Sequence, residues 1–117
     1  MDYMELKENL STTSENQRTL TRRYMEQRNK FGNAKYDLAL LLVPYQDQKE
    51  FQKASFEKQL LMLLEDTPEN RKAGVYSMYE DYIKCQQNYK GLALMIQRNS
   101  EYISWQQSLM RYAREND

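Results

Sequence analysis

The chain has 117 residues, and its 17 Lys plus Arg cancel its 17 Asp plus Glu, so no global field draws it to nucleic acid or to a membrane. Charged residues make up 29% and the mean hydropathy is -0.98, wetter than an ordinary globular domain, while three Gly and two Pro are too few for a β-sandwich or a flexible linker. One Cys excludes an intramolecular disulfide, and the absence of His argues against a zinc site and removes the Ser-His and Cys-His catalytic pairs. The composition describes a non-enzymatic protein with no metal or cofactor.

The longest apolar run, Leu38 to Val43, has six residues, far short of the roughly 20 that span a bilayer. The opening Met-Asp-Tyr-Met-Glu lacks the basic and apolar regions of a secretory signal. Together with the lone Cys85 this predicts a cytoplasmic protein that does not engage a membrane.

In chain order, residues 1–10 read as a short helix or a frayed segment. Ser11-Thr12-Thr13-Ser14-Glu15 is rich in capping residues and predicts the start of a helix over 11–43. That helix carries a seam of Gln17, Tyr24, Phe31, Leu38 and Tyr45, with Leu20, Gln27, Ala34 and Leu41 between them. From Arg18 to Lys35 it also carries six bases (Arg18, Arg22, Arg23, Arg28, Lys30, Lys35) against one acid, Glu26, interleaved with Tyr24 and Phe31 and followed by Tyr36. Bases that neutralise phosphates and aromatics that stack on nucleobases are what single-stranded nucleic acid requires. The same residues also fit a seam bordered by ordinary coiled-coil charges.

Pro44 interrupts the helical pattern, because it removes a backbone donor and clashes with the preceding turn. A second, apolar helix is predicted over 45–65, with Phe51, Phe56, Leu60, Leu63 and Leu64 inward and the run Leu60-Leu61-Met62-Leu63-Leu64 the most buried stretch. Thr67 and Pro68 then form an N-cap and first-position pair, with Glu69 in the first turn, so a last helix is predicted over 68–116. Across that turn, Val75, Tyr76 and Tyr79 become neighbours of the apolar run in an αα-hairpin.

The last helix repeats in sevens: Val75, Tyr82, Tyr89, Ile96, Ile103 and Met110, with Tyr79, Gln86, Ala93, Ser100 and Gln107 as the second column. Met78, Cys85 and Leu92 add apolar support beside it, and Gln86 and Gln107 resemble register-setting polar positions. At ~1.5 Å per residue such a helix runs about 73 Å, too long for a compact body with a radius of gyration near ~13 Å. The fold class is therefore all-α: long helices in an extended antiparallel helical hairpin with a coiled-coil-like C-terminal helix, assembled as a homo-oligomer. Val75, Tyr79, Tyr82, Tyr89, Ile96, Ile103 and Met110 are the expected oligomer interface. Ten Tyr and seven Met suit packing between widely spaced helices or a partner surface.

The C-terminal half, residues 57–115, resembles the UvsY-type recombination mediators of tailed phages. The resemblance lies in an apolar helix bearing Glu57-Lys58, an acidic turn, and a terminal helix reading Gly-Leu-Ala-Leu-Met-Ile-Gln-Arg-Asn-Ser, then Tyr102-Ile103-Ser104-Trp105-Gln106-Gln107 and Met110-Arg111. It implies a small helical oligomer, in a host cytoplasm, that binds single-stranded DNA and loads a RecA-like recombinase by displacing the single-strand-binding protein. The family's basic, tyrosine-rich DNA-binding stretch would fall on 39–45, where only Tyr45 fits. DNA contacts would then come from the Arg18–Lys35 segment or from Lys49, Lys53 and Lys58. The alternative is a helical-hairpin adaptor, chaperone or stalk protein that binds another protein and no nucleic acid.

Overall fold

In the computed structural model the backbone is described for residues 2–66 and 69–116 and the side chains for 2–65 and 74–115. Among the described residues four α-helices follow one another: α1 (Tyr3–Leu42), α2 (Lys49–Lys53), α3 (Phe56–Asp66) and α4 (Glu69–Asn116), with a 3-10 turn at Val43–Tyr45 between α1 and α2. No strand occurs among the described residues. The all-α class is as expected, and α4 is described from Glu69 onward. The Thr67-Pro68 cap and the Glu69 side chain lie outside the described residues.

Two predicted boundaries are corrected. The first helix does not begin at 11: Asp2 caps it, its Oδ1 accepting the Glu5 N–H at 2.9 Å, and residues 3–10 are the first turns of α1. The hydroxyls that looked like caps are inside the helix. Thr12 Oγ donates to the Glu8 carbonyl at 3.2 Å and Thr13 Oγ to the Asn9 carbonyl at 2.8 Å, and Thr19 and Thr21 donate likewise to Glu15 and Gln17. A hydroxyl satisfied by the carbonyl four residues back no longer competes with the helix.

The second correction concerns 45–65, which is not one helix. Pro44 ends α1 in the 3-10 turn, and the Gln46 side chain closes the end by donating to the Leu42 carbonyl at 3.2 Å. After the short α2, Ala54 is extended and Ser55 restarts the helix, its Oγ accepting the Lys58 N–H at 3.3 Å. The Gln59 amide donates to the Phe51 carbonyl, tying α3 back to α2.

The chain divides into two compact units, one of Met1–Gln27 with Asn88–Asp117 and one of Arg28–Gln87. The second unit holds the apolar core. Leu38 and Leu42 of α1, Phe51 of α2, Leu60 and Leu63 of α3 and Tyr82 of α4 are all buried. Tyr82, 1% exposed, is the centre: its ring stacks on Phe31 (4.9 Å, 25°) and meets Phe56 edge-on (5.8 Å, 68°). Tyr45 stacks on Phe51 at 5.3 Å. Val75, Met78 and Tyr79 pack against this cluster, as the hairpin expectation required, but Tyr76 is exposed. Leu61, expected among the most buried residues, is also exposed, so the apolar run is not buried all round.

The first unit is built differently. Its α1 and α4 segments run antiparallel: Tyr24 meets Tyr89 edge-on at 6.1 Å, Gln17 reaches the Ile96 carbonyl at 3.3 Å, and Tyr3 and Leu10 share a groove with Gln107 and Met110. Leu6 is its only fully buried apolar side chain among the described residues, beside buried Thr13 and Gln106. Amide bonds cross the seam. Asn99 donates to Gln17 Oε1 at 2.8 Å and to the Thr13 carbonyl at 3.2 Å, and Asn88 donates to Gln27 Oε1 at 3.3 Å.

This unit also corrects the second column of α4. Ala93, Ser100 and Gln107 are exposed, whereas Leu92, Asn99 and Gln106 face inward. The register polars are thus Asn99 and Gln106 rather than Gln107.

Candidate nucleic-acid interface

The basic stretch of α1 is outside. In the first unit Arg18, Arg22 and Arg23 are exposed. Arg18 and Arg22, four residues apart, share one face and border a shallow open depression with Thr21 and Met25. Arg18 also pairs with Glu15 at 3.2 Å, an exposed i, i+3 contact that is worth little and releases easily. Arg23 lies by another surface groove, with Glu26, Gln27, Asn88 and Leu92.

In the second unit Arg28, Lys30 and Lys35 are exposed, and Arg28 and Lys35, seven residues apart, share a face. The Lys35 ammonium sits 5.3 Å from the Phe56 ring centroid, a cation–π contact. Lys49 and Lys53 on α2 and Lys58 on α3 are exposed as well, while Tyr45 is half-buried against Phe51.

The aromatics of the basic stretch do not share that exposure. Tyr24 is turned onto Tyr89 and Phe31 onto Tyr82. They are seam residues, and only Tyr36, of the three, stands out in solvent. Phosphate neutralisation is therefore available on α1, and stacking is not, Tyr36 apart.

The expected oligomer column is likewise spent inside the chain. Val75, Tyr79 and Tyr82 belong to the apolar core of the second unit, and Tyr89, Ile96, Ile103 and Met110 are half-buried along the seam of the first. What the sequence reading missed lies one residue over. Tyr102 and Trp105 are 48% and 55% exposed, with rings stacked 5.5 Å apart on the outside of α4. Their spacing of three is visible in the sequence, but spacing alone does not say which face of α4 is covered by α1.

No family model, no curated protein and no solved structure matches the chain.

Proposed function

We propose that the protein is a non-enzymatic single-stranded-DNA-binding factor that assists loading of a RecA-like recombinase onto strands coated by single-strand-binding protein. The observation that carries this reading is the solvent exposure of all six bases between Arg18 and Lys35, set against a single acid. The resemblance of α4 to the UvsY-type mediators supplies the recombination context. With Tyr24 and Phe31 turned inward, contact would be mainly to phosphates, which gives binding that is indifferent to sequence and readily reversed by salt. Reversibility suits a factor that must pass the strand on.

The test is the anisotropy of a labelled oligothymidylate titrated at two salt concentrations. Affinity should fall with a log–log slope of about 0.7 for each phosphate contacted by a single strand. No binding at the lower salt, where phosphate contacts are strongest, would refute the reading. The inward aromatics favour a second reading, a helical-hairpin adaptor for another protein. Under it, neutralising Arg18, Arg22 and Arg23 leaves function intact.

A further inference from the structure

Along the outside of α4, Met95, Arg98, Tyr102, Trp105, Leu109 and Tyr112 follow one another at alternating spacings of three and four. That is the spacing of a helix-packing seam. Each of the six stands one residue before a position of the inward seam (95 before Ile96, 102 before Ile103, 109 before Met110), so the stripe is turned from that seam by about 100°. Met95 is 52% exposed, Tyr102 48%, Trp105 55% and Tyr112 67%, with Leu109 half-buried. The α1 segment of this unit covers the inward seam and leaves the second one open. A helix carrying two adjacent seams is built to contact two helices.

We propose that this second seam joins two copies of the chain, α4 against α4, antiparallel about a two-fold axis passing between Ile103 and Ser104. Self-complementarity selects the occupant. About that axis Tyr102 meets Trp105 of the second copy, Met95 meets Tyr112, and Arg98 meets Leu109, so every seam position faces a seam position. Arg98 then sits one turn from Trp105 and Tyr112 of the second copy, whose ring faces its planar guanidinium can cover. Glu101, beside the stripe, offsets Arg98, so pairing brings no uncompensated like charge to the axis.

The area is also sufficient. With about 200 Å² in a whole aromatic side chain, the exposed parts of the stripe offer about 500 Å² of apolar surface per copy. Two copies remove about 1,000 Å² before any polar rim is counted, which is where specific interfaces begin. The surface is distinct from the α1 bases, so the proposal stands whether or not the chain binds DNA.

Sedimentation velocity over a wide concentration range, read with the emission of the sole tryptophan, tests it. A dimer is expected, and its dissociation on dilution should coincide with a red shift as Trp105 becomes wet. Trp105→Glu should weaken association by more than about tenfold, the scale of a central interface residue. Its helicity by circular dichroism should match the wild type, because Trp105 faces away from α1. A wild-type chain that stays monomeric throughout, or Trp105→Glu chains that still dimerise, would overturn the proposal.

Register is read separately in a Cys85→Ser background. Arg98→Cys chains mixed with Leu109→Cys chains should cross-link to each other under oxidation, because the two positions face each other across the axis. Met95→Cys should not, since its mate lies 17 residues further along the antiparallel helix, about 25 Å away at ~1.5 Å per residue. A cross-link with Met95→Cys alone, or none in the Arg98→Cys and Leu109→Cys mixture, would overturn the antiparallel arrangement.

Discussion

Replacing Gln106 by Leu should make the protein more stable. Gln106 is 3% exposed in the seam of the first unit, and its Oε1 has no hydrogen-bond partner among the described residues. An unpaired buried carbonyl costs about 1–3 kcal/mol of desolvation that nothing returns. Leucine removes that penalty and keeps most of the volume. Its helix propensity is close to that of glutamine, so α4 loses nothing locally. The one heavy atom it lacks gives back part of the gain, and a net stabilisation of about 1–2 kcal/mol remains. In a chain of this size that corresponds to a rise in melting temperature of about 4–8 °C. Urea unfolding followed by tryptophan emission is the direct assay, because the reporter, Trp105, is the neighbouring residue and belongs to the same unit. The midpoint should rise with an unchanged slope. Gln107→Leu is the internal control: Gln107 is exposed, so its unfolding free energy should stay within about 0.5 kcal/mol of the wild type. A lower midpoint for Gln106→Leu, or a gain at Gln107 instead, would refute both the orphaned oxygen and the register that places residue 106 inside.

Other perturbations follow from the packing. Tyr82→Ala removes the ring on which Phe31, Phe56 and Tyr79 converge and should cost about 3–5 kcal/mol in a thermal melt. Tyr82→Phe should cost under about 1 kcal/mol, since the hydroxyl reaches Glu57 only at 3.5 Å. Asn99→Ala strips the seam of its bonds to Thr13 and Gln17 and should lower the unfolding free energy in a urea titration by about 1–3 kcal/mol. If the α1 bases hold a strand, Arg18→Ala, Arg22→Ala and Arg23→Ala combined should lower the salt slope of oligonucleotide binding by about 2, at about 0.7 per lost phosphate contact.

Periodicity carried most of the fold into the sequence. The α1 seam through Tyr24, Phe31 and Leu38 and the α4 column through Tyr82, Tyr89 and Ile96 are the residues that pack, because a heptad of large side chains has few competing explanations. Gln17 and Gln27 were legible as seam members of α1, but at Asn99 and Gln106 of α4 the signal failed. Asn99 and Gln106 are inside because partner amides or neighbouring apolar surface hold them there, and no composition rule marks a glutamine as buried. Capping chemistry misled for a related reason: a threonine that can cap a helix can also bond to the carbonyl four residues back, and only the Asp2 cap upstream decides between the two. Pro44 was legible as a break, but Ser55 was not, since one serine in a helical pattern is ordinarily harmless. At the candidate site the charges were legible and the orientation of the aromatics was not. Tyr24 and Phe31 satisfy both a stacking platform and a seam until the partner rings on Tyr89 and Tyr82 are known.

The two kinds of seam on α4 solve a pairing problem. A helix with apolar residues at both seams would take a second copy on either one, and α1 of a neighbouring chain could displace the chain's own. The inward seam is guarded against this by its amides. Asn99 finds Gln17 and the Thr13 carbonyl together only when α1 and α4 are antiparallel and in register, so a shifted neighbour leaves those groups buried and unpaired. Such polar layers lower stability, which fits a unit with a single fully buried apolar side chain among its described residues. The outward seam carries no such layer; apart from Arg98, its members are Met, Leu and aromatic. Polar residues thus reserve one face of α4 for its own α1, and their near absence leaves the other face open to the second copy proposed above.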